Sequence, residues 1–330
     1  MTPPQTEQEY ERPAGASQPS LRVGCAMWAH KEWPGRHFPA DTKPGTELGP
    51  YATWCTAVEG NTTFYATPPA TTIARWRDDT PDGFQFCFKL PRTITHERRL
   101  RNVAELTLEF CDRIAPMAER LGPIQIQLPP SFSGTDLPVL AAFLEKVPSI
   151  SGFAGWAVEL RHADFFVGGA KERAVDDLLT EHGANRVILD SRALFDRPPE
   201  TPEEVDAWEK KPRLPVRPVA TGQQPIVRLI GNRDLDASLE RWQQWVPTIV
   251  RWLGEGRSPV VFTHTPDNAD ALPLARRFHN AIASACVAQG STCAPLPEPE
   301  TAEVQLDLLD TPAPDAIHSS AGTTDTERTG

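Results

Sequence analysis

Charged residues that could bind an anion or move a proton recur along this chain, each at or just beyond the end of a short apolar run. They are Glu59, Lys89, Glu159, Arg161, His162, Asp190, Arg228 and His264. Carboxylates, amines and imidazoles serve enzymes as general acids, bases and nucleophiles, whereas guanidinium groups bind phosphate or carboxylate in a planar fork. The predicted catalytic residues are Glu59, Lys89, Glu159, His162 and Asp190. Glu59 and Glu159 would act as general base and acid if their surroundings separate their pKa values.

The neighbouring residues have the types found in ligand pockets. Guanidinium groups could hold an anion, and amide and hydroxyl groups could orient it. The predicted ligand-binding residues are Trp28, Asn61, Thr63, Phe64, Tyr65, His96, Gln127, Arg161, Arg228 and His264. Their aromatic members, together with Trp33, offer flat surfaces against which a base or a sugar could stack, although a single aromatic side chain is more often packing.

The apolar runs before these residues indicate the fold. They are rich in Val, Ile and Phe, begin about every 28 to 39 residues and alternate with segments of helical period. Their first residues are Arg22, Thr56, Phe84, Pro123, Gly155, Arg186, Pro225 and Pro259. Eight βα units in about 240 residues is the count and size of a (β/α)8 barrel. We therefore predict an α/β protein with a single (β/α)8 TIM-type barrel over residues 21–289.

In such a barrel the carboxyl ends of the strands form the floor of the active site, so these polar residues should meet at one mouth. Side chains alternate between the two faces of a strand, so Glu59 should share a face with Asn61, and Glu159 with Arg161. Buried charges persist only when they are paired with an opposite charge or take part in binding or catalysis. The acids and bases should therefore form one charge-compensated cluster. A structural network of salt bridges without a ligand is the alternative interpretation.

Helical periodicity between the runs predicts the remaining elements. Helices are expected at 101–121, 135–147, 171–182, 236–253 and 267–287, with one short helix at 202–210. The aromatic, Gly- and Pro-containing segment 28–45 follows the first strand and predicts a loop that folds over the mouth. The segment 196–225 after the sixth strand is either a lid or a surface insertion.

The two ends of the chain differ in composition from the barrel. Residues 1–20 are polar and residues 290–330 are rich in Pro, Ser, Thr and acids, so both are predicted to be disordered tails. The C-terminal tail holds eight acidic residues and one arginine, and so carries most of the net charge of −11. The barrel is left close to neutral, and this charge permits an anionic ligand. The barrel lacks the basic field expected of a dedicated duplex-binding protein.

One apolar motif interrupts the acidic tail. It consists of Gln305, Leu306, Leu308 and Leu309. The pattern resembles the peptide that bacterial polymerases and repair proteins place in the groove of the sliding clamp, which makes the clamp a candidate partner.

Cysteine usage and hydropathy predict a cytoplasmic protein. The six cysteines form no CxxC pair and no zinc-ligand spacing, so we interpret them as reduced thiols. No run of 18 apolar residues is present, which predicts neither a membrane span nor a membrane partner. The first 20 residues carry acids where a signal peptide would carry basic residues.

Six longer motifs follow one another along the barrel. They are GCAMWAHKEWPGRHFP (24–39), VEGNTTFYATPP (58–69), FQFCFKLPRTITH (84–96), LGPIQIQLPPSF (121–132), AVELRH (157–162) and VRLIGN (227–232). In order and spacing they resemble the YecE-like family, known as domain of unknown function 72. The resemblance implies a TIM-barrel fold without an established reaction, and it implicates the predicted site residues other than His264, together with Pro129. The chain departs from the family pattern at Thr263-His264-Thr265, where relatives often have paired asparagines.

Together these features predict an enzyme of hydrolase or lyase type that binds a small anionic ligand or a nucleic acid. Its ligand would be phosphorylated or nucleotide-like, and Glu, Lys and His residues would carry out acid–base catalysis. The enzyme would act in nucleic-acid repair. A non-catalytic adaptor that binds a ligand or a nucleic acid is the second hypothesis. The third is a metal-dependent sugar-processing barrel, since the acids and histidines could hold a divalent metal, although the sequence requires no cofactor.

Overall fold

The computed structural model describes residues 19–148, 150, 152–291 and 293–299, and its centre is a sheet of eight parallel strands. The strands are β1 (Arg22–Cys25), β2 (Ala57–Gly60), β3 (Gln85–Phe88), β4 (Ile124–Gln127), β5 (Trp156–Glu159), β6 (Asn185–Asp190), β7 (Ile226–Ile230) and β8 (Val260–His264). They pair in the order β3-β2-β1-β8-β7-β6-β5-β4. Parallel bridges from Phe86 to Leu121 and from Lys89 to Gln125 join the two ends of this order. The predicted (β/α)8 TIM-type barrel is thereby confirmed.

Helices connect the strands and form the outer layer. They are α1 (Leu48–Trp54), α2 (Ala70–Asp78), α3 (Ala104–Ile114), α4 (Leu137–Leu144), α5 (Ala170–Glu181), α6 (Arg192–Phe195), α7 (Pro202–Lys210), α8 (Leu235–Trp242), α9 (Val246–Gly254) and α10 (Ala271–Ala288). Helix α7 has the predicted bounds, and a capping box between Thr201 and Glu204 starts it. The helix predicted at 236–253 is divided into α8 and α9 by the 3-10 turn Gln243–Trp245. Helices α1, α2 and α6 were not predicted from the sequence.

Alternate residues of each strand point into the barrel, and their chemistry changes along the axis. The lower interior is one apolar cluster of Ala57, Cys87, Ala157, Val187, Ile226, Val260 and Phe262. Two residues further along their strands, the same face carries Glu59, Lys89, Glu159, Arg228 and His264, all buried. Residues on the other face, such as Ile188 and Val227, pack in a second cluster with the tryptophans of α8 and α9. The polar groups are thus concentrated at the carboxyl end of the barrel.

The chain beyond α10 packs against the barrel for part of its length. Leu296 is buried in the cluster that contains Trp252 and Phe278, and the Arg276 guanidinium donates to the Pro297 carbonyl at 2.7 Å. The packed chain therefore extends past the barrel end predicted at residue 289. Most of both predicted tails and the whole clamp-like motif at 305–309 lie outside the described residues. Among the described residues, no helix combines the length and the apolar character needed to cross a membrane.

Candidate functional site

A cavity of about 670 Å³ opens at the carboxyl ends of the strands. It is lined by Ala26, Met27, Trp28, Ala29, Asn61, Thr62, Phe64, Tyr65, Lys89, Gln127, Arg161, Lys211, Arg228, His264 and Asn268. This size falls in the range of small-molecule sites, and its place in the fold is where barrel enzymes bind their substrates. Eight of the ten predicted ligand-binding residues lie in this lining, and Thr63 and His96 lie close behind it.

Arg228 on β7 organises the charges at the floor of the cavity. Its Nη2 donates to Glu59 Oε2 at 3.0 Å, its Nε lies 2.7 Å from Glu59 Oε1, and its Nη1 donates to Glu159 Oε2 at 3.0 Å. Arg161 completes the group, because its Nε donates to Glu159 Oε1 at 2.6 Å. The guanidinium of Arg228 is 5% exposed and the two carboxylates are 0–1% exposed. Both carboxylates are therefore already bonded to arginine.

These contacts keep the two carboxylates ionised. Burial by itself would raise the pKa of Glu59, but Arg228 and Lys89 outweigh it and hold that pKa far below its ordinary value. Burial also opposes the ionisation of Glu159, and Arg161 and Arg228 lower its pKa to about 2. The predicted division into one general base and one general acid needs separated pKa values. This geometry does not provide such a division, because neither Glu59 nor Glu159 carries a proton near neutral pH.

Lys89 follows β3 and presents its amine to the cavity. Its backbone is fixed by the buried Thr63, whose hydroxyl donates to the Lys89 carbonyl at 2.7 Å and accepts from the Lys89 amide at 3.1 Å. Its Nζ donates to Gln127 Oε1 at 2.9 Å and lies 3.9 Å from Glu59 Oε2. Burial lowers the pKa of Lys89 to about 8, against the attraction of Glu59. Thr63 is therefore a positioning residue rather than a ligand contact.

A second lysine, Lys211, was missed by the sequence analysis. It lines the cavity from the segment 196–225, directly after α7. Ser191 Oγ donates to the Pro212 carbonyl at 2.8 Å, and the Arg213 guanidinium lies 4.1 Å from the Phe195 ring and 4.5 Å from the Trp208 ring. These contacts anchor the segment, so it is a fixed wall of the site. Burial and the nearby Arg228 together lower the pKa of Lys211 to about 8, and its ammonium has no ion-pair partner among the described residues.

Two histidines beside the cavity are neutral at physiological pH. Burial and Arg228 hold the pKa of His264 well below its ordinary value, and its Nε2 is buried 3.8 Å from Glu59 Oε2 without a hydrogen bond. Burial and Arg161 lower the pKa of His96 to about 4. His96 lies on a π-helical turn, Thr93–Glu97, where Thr95 Oγ1 is 2.9 Å from its Nδ1. Neutral imidazoles can orient a ligand without adding charge.

One wall of the cavity is aromatic. The rings of Phe64 and Tyr65 lie edge to face at 5.2 Å, and His96 lies edge to face with Phe64 at 5.0 Å. Tyr65 is 75% exposed, so its ring is open to a ligand. Trp33, in contrast, is fully buried and donates from its Nε1 to the Ala269 carbonyl at 3.0 Å. The prediction that Trp33 stacks a ligand is therefore wrong, because its ring is buried against other side chains.

Of the five predicted catalytic residues, Lys89 alone is part of the cavity lining; Glu59 and Glu159 are buried beneath it, and Asp190 and His162 lie apart from it. Asp190 accepts hydrogen bonds from Arg192 and from Trp245 Nε1, the latter at 2.8 Å, on the outer face of β6. His162 follows β5 but accepts from the Asp164 amide through its Nδ1 at 3.1 Å, which caps a short 3-10 turn. Both are structural in this arrangement. Arg192 and Trp245 satisfy the Asp190 carboxylate, which explains how a fully buried acid persists there.

The donor set does not resemble a metal centre. Among the described residues, no group of three or more His, Cys, Asp or Glu side chains is arranged to hold a metal ion. Glu59 and Glu159, the acids nearest the cavity, are held by guanidinium groups instead. The oxygen and nitrogen ligands of the metal hypothesis are therefore not assembled at this mouth.

A (β/α)8 barrel with a cation-lined cavity at its mouth is the class of protein that these observations define. The family model for "Protein of unknown function DUF72" matches residues 22–300, and the chain belongs to this family. The chain is 39% identical over 254 residues to the UPF0759 protein YecE of Escherichia coli K12, an alignment that covers 77% of this chain and 89% of that protein. The YecE protein of Escherichia coli O157:H7 gives the same values.

Solved structures of other DUF72 family proteins have a similar fold. A DUF72 family protein from Thermotoga maritima superposes with a TM-score of 0.56 and 23% identity, over 79% of this chain and 98% of that chain. A DUF72 family protein from Enterococcus faecalis superposes with a TM-score of 0.56 and 18% identity, over 79% of this chain and 95% of that chain. At these identities the likeness supports the fold alone.

Proposed function

We propose that this protein is an enzyme that binds a phosphorylated or nucleotide-like anion in the mouth cavity and uses a lysine there for acid–base chemistry. One observation carries the proposal. The charged groups in the lining and floor are four cations, Lys89, Arg161, Lys211 and Arg228, against two carboxylates, Glu59 and Glu159. Because the two carboxylates are neutralised by guanidinium groups, the remaining positive charge faces the cavity and favours an anion there.

The lysines are the groups best suited to exchange a proton near neutral pH. A general acid or base works best when its pKa is close to the working pH. Lys89 and Lys211, each with a pKa lowered to about 8, meet this condition. Glu59 and Glu159 remain ionised, so they would position Arg161 and Arg228, whereas His96 and His264 remain neutral and would orient the ligand.

The aromatic wall supports a nucleotide-like ligand over phosphate alone. Trp28, Phe64 and Tyr65 lie on the same cavity as the cations, so a base or sugar could stack there while its phosphate reached the lysines. The repair setting rests on the clamp-like peptide of the tail, which stays a prediction. All six cysteines are free thiols, which supports the cytoplasmic location that we propose.

The first test is phosphate binding by the variant Lys211→Gln. A hydrogen bond to a charged group contributes about 1.5–3 kcal/mol, so the dissociation constant of inorganic phosphate should rise about 10- to 100-fold. Isothermal titration calorimetry at pH 7 gives this value. The matched control is Lys210→Gln, because Lys210 is the preceding residue but is exposed and paired with Asp206. Equal affinities for both variants, or a wild-type protein that binds no phosphate, would contradict the proposal.

The second test separates a nucleotide site from a simple phosphate site. Tyr65→Ala should weaken binding of adenosine monophosphate by about 1–3 kcal/mol and leave the affinity for inorganic phosphate unchanged, since stacking on an aromatic ring is lost and the cations remain. Both ligands are titrated into the same preparations of wild type and variant. If both affinities fall together, Tyr65 acts on the shape of the cavity. If neither falls, the nucleotide part of the proposal is wrong.

Catalysis and simple binding make different predictions for the lysines. An adaptor would lose only affinity when Lys89 or Lys211 is replaced, because its ligand is not transformed. An enzyme would lose turnover at saturating ligand as well. A ligand is first found by calorimetry, and product analysis then shows whether the protein transforms it. The comparison uses kcat and the dissociation constant measured for that same ligand.

A further inference from the structure

We infer that Lys89 is a nucleophile that forms an imine with an aldehyde or ketone whose anionic group is held by the other cations of the cavity. The inference rests on the proposed function and adds a substrate class to it: a phosphorylated or carboxylated carbonyl compound. An imine requires a lysine that is fixed, accessible from the cavity and able to become neutral. Each of these conditions has a basis in the geometry.

Lys89 is fixed at both ends of its side chain. Thr63 holds its backbone through two hydrogen bonds, and Gln127 holds its Nζ at 2.9 Å. Lys89 nevertheless belongs to the lining of the cavity, and 6% of its side chain is exposed. A carbonyl carbon placed in the cavity could therefore meet this amine without a movement of the strand, which is the arrangement that lowers the entropy cost of attack.

The partners of the Lys89 amine are compatible with its neutral form. Gln127 Oε1 is an uncharged acceptor, so a neutral amine can keep this hydrogen bond and direct its lone pair elsewhere. The nearest carboxylate oxygen, Glu59 Oε2, lies at 3.9 Å, beyond hydrogen-bond distance, and already accepts from Arg228 and Asn61. A lysine whose charge had to be kept would be expected in direct contact with a carboxylate.

Lys211 supplies the second amine of the pair. It faces the same cavity and the two ammonium groups disfavour each other's charge, in addition to the effect of burial. With both pKa values near 8, a minor fraction of each amine is neutral at neutral pH and the rest is protonated. One amine can thus attack while the other donates a proton.

The chemical step balances with these groups alone. The lone pair of neutral Lys89 forms the C–N bond as the carbonyl π electrons move to oxygen, and a proton passes from nitrogen to that oxygen to give a carbinolamine. The Lys211 ammonium then protonates the hydroxyl group, the C–O bond breaks with loss of water, and a protonated imine remains. No oxidant or reductant is consumed. Lys211 regains its proton from solvent.

Reductive trapping tests the inference. The probe is pyridoxal 5′-phosphate, an aldehyde with a phosphate group, followed by sodium borohydride, which makes the imine permanent. Pyridoxal, which lacks the phosphate, is the matched control probe. We expect one adduct per chain at Lys89 by intact-mass and peptide mass spectrometry, at least tenfold more with the phosphorylated aldehyde, and suppression by excess inorganic phosphate. Labelling should increase as the pH rises through 8, because more of the amine is then neutral.

Variants and outcomes keep the two proposals apart. Lys89→Arg, which keeps the positive charge, should lose the adduct, and Lys210→Gln should not change it; circular dichroism checks that both are folded. If phosphate binds and competes but Lys89 is not modified, or if Lys211 carries the adduct, the imine inference is wrong and the proposed function stands. If phosphate does not bind and both aldehydes label the same surface lysines equally, the proposed function fails, and the inference fails with it.

Discussion

Replacing Arg228 by methionine is expected to lower the free energy of unfolding by about 3–5 kcal/mol at pH 7. The loss follows because Glu59 and Glu159 are almost fully buried and share this one guanidinium, while only Glu159 has a second arginine, Arg161. Without it, Glu59 keeps only the amide of Asn61 and the more distant Lys89 and His264. Urea denaturation followed by tryptophan fluorescence measures the difference, provided that the slope of the transition is unchanged.

The matched control for this variant is Arg241→Met. Arg241 also donates to a carboxylate, that of Asp196 at 3.0 Å, but both side chains are 43% exposed. Exposed pairs of this kind contribute about 0–1 kcal/mol. If the two variants lose similar stability, the cluster at the mouth is solvated, and the argument for a low-dielectric cation site no longer holds.

The pH dependence of the same variant has a defined sign. In the wild type the pKa of each carboxyl is lowered on folding, so its contribution is present above the ordinary value of 4.5 and is lost as the pH falls through the folded value, about 2 for Glu159. In Arg228→Met, Glu59 loses its main cationic partner and burial raises its pKa, whereas Glu159 keeps Arg161 and its pKa rises less. A carboxyl whose pKa is raised on folding stabilises the folded state below its unfolded pKa, and this stabilisation is lost as the pH rises through the folded pKa. The difference in the free energy of unfolding between the wild type and Arg228→Met should therefore become smaller as the pH is lowered from 8 towards 5.

The fold was predictable because the strands of a parallel barrel are buried on both faces and so form near-continuous apolar runs. Each of the eight predicted runs contains a strand. The missed helices are short or weakly patterned. Helix α1 has seven residues and includes Gly49 and Pro50, and α2 buries only Ile73 and Trp76. Packing against the barrel, rather than sequence periodicity, determines these helices.

The site was partly predictable, and its gaps have physical causes. Strand alternation correctly placed Glu59, Glu159 and Arg228 together, because they share the inner face. Asp190 ends β6 one residue after the inward position, on the face of Ile188, so it meets Trp245 in the outer layer instead. Lys211 follows a helix and not a strand, and only the contacts of its segment with α6 and α7 bring it to the mouth. No local pattern carries that information.

Replacing Lys89 by methionine is expected to raise the free energy of unfolding by about 2 kcal/mol at pH 7, although it removes the proposed nucleophile. Burial lowers the pKa of Lys89 on folding from 10.5 to about 8, which costs about 3 kcal/mol while the amine is charged. The hydrogen bond to Gln127, about 1 kcal/mol, is lost in the variant and offsets part of this gain. A gain in stability on removal of a site residue is a known trade-off with activity, and it agrees with the role proposed for Lys89.

The pH profile distinguishes this cause from simple repacking. Between pH 8 and 10.5 the unfolded chain keeps a proton that folded Lys89 has released, so the stability of the wild type rises with pH over this interval. Lys89→Met lacks this rise, so its advantage should shrink, vanish and become a deficit of about 1 kcal/mol towards pH 10.5, where only the lost hydrogen bond to Gln127 remains. Lys211 is present in both proteins, but the Lys89 charge lowers its pKa, so Lys89→Met also reduces the Lys211 part of the rise, in the same direction. The exposed Lys146→Met is the control, expected to run parallel to the wild type. If the curves of Lys89→Met and the wild type run parallel as well, Lys89 is not a buried amine of lowered pKa, and both its acid–base role and its nucleophilic role lose their basis.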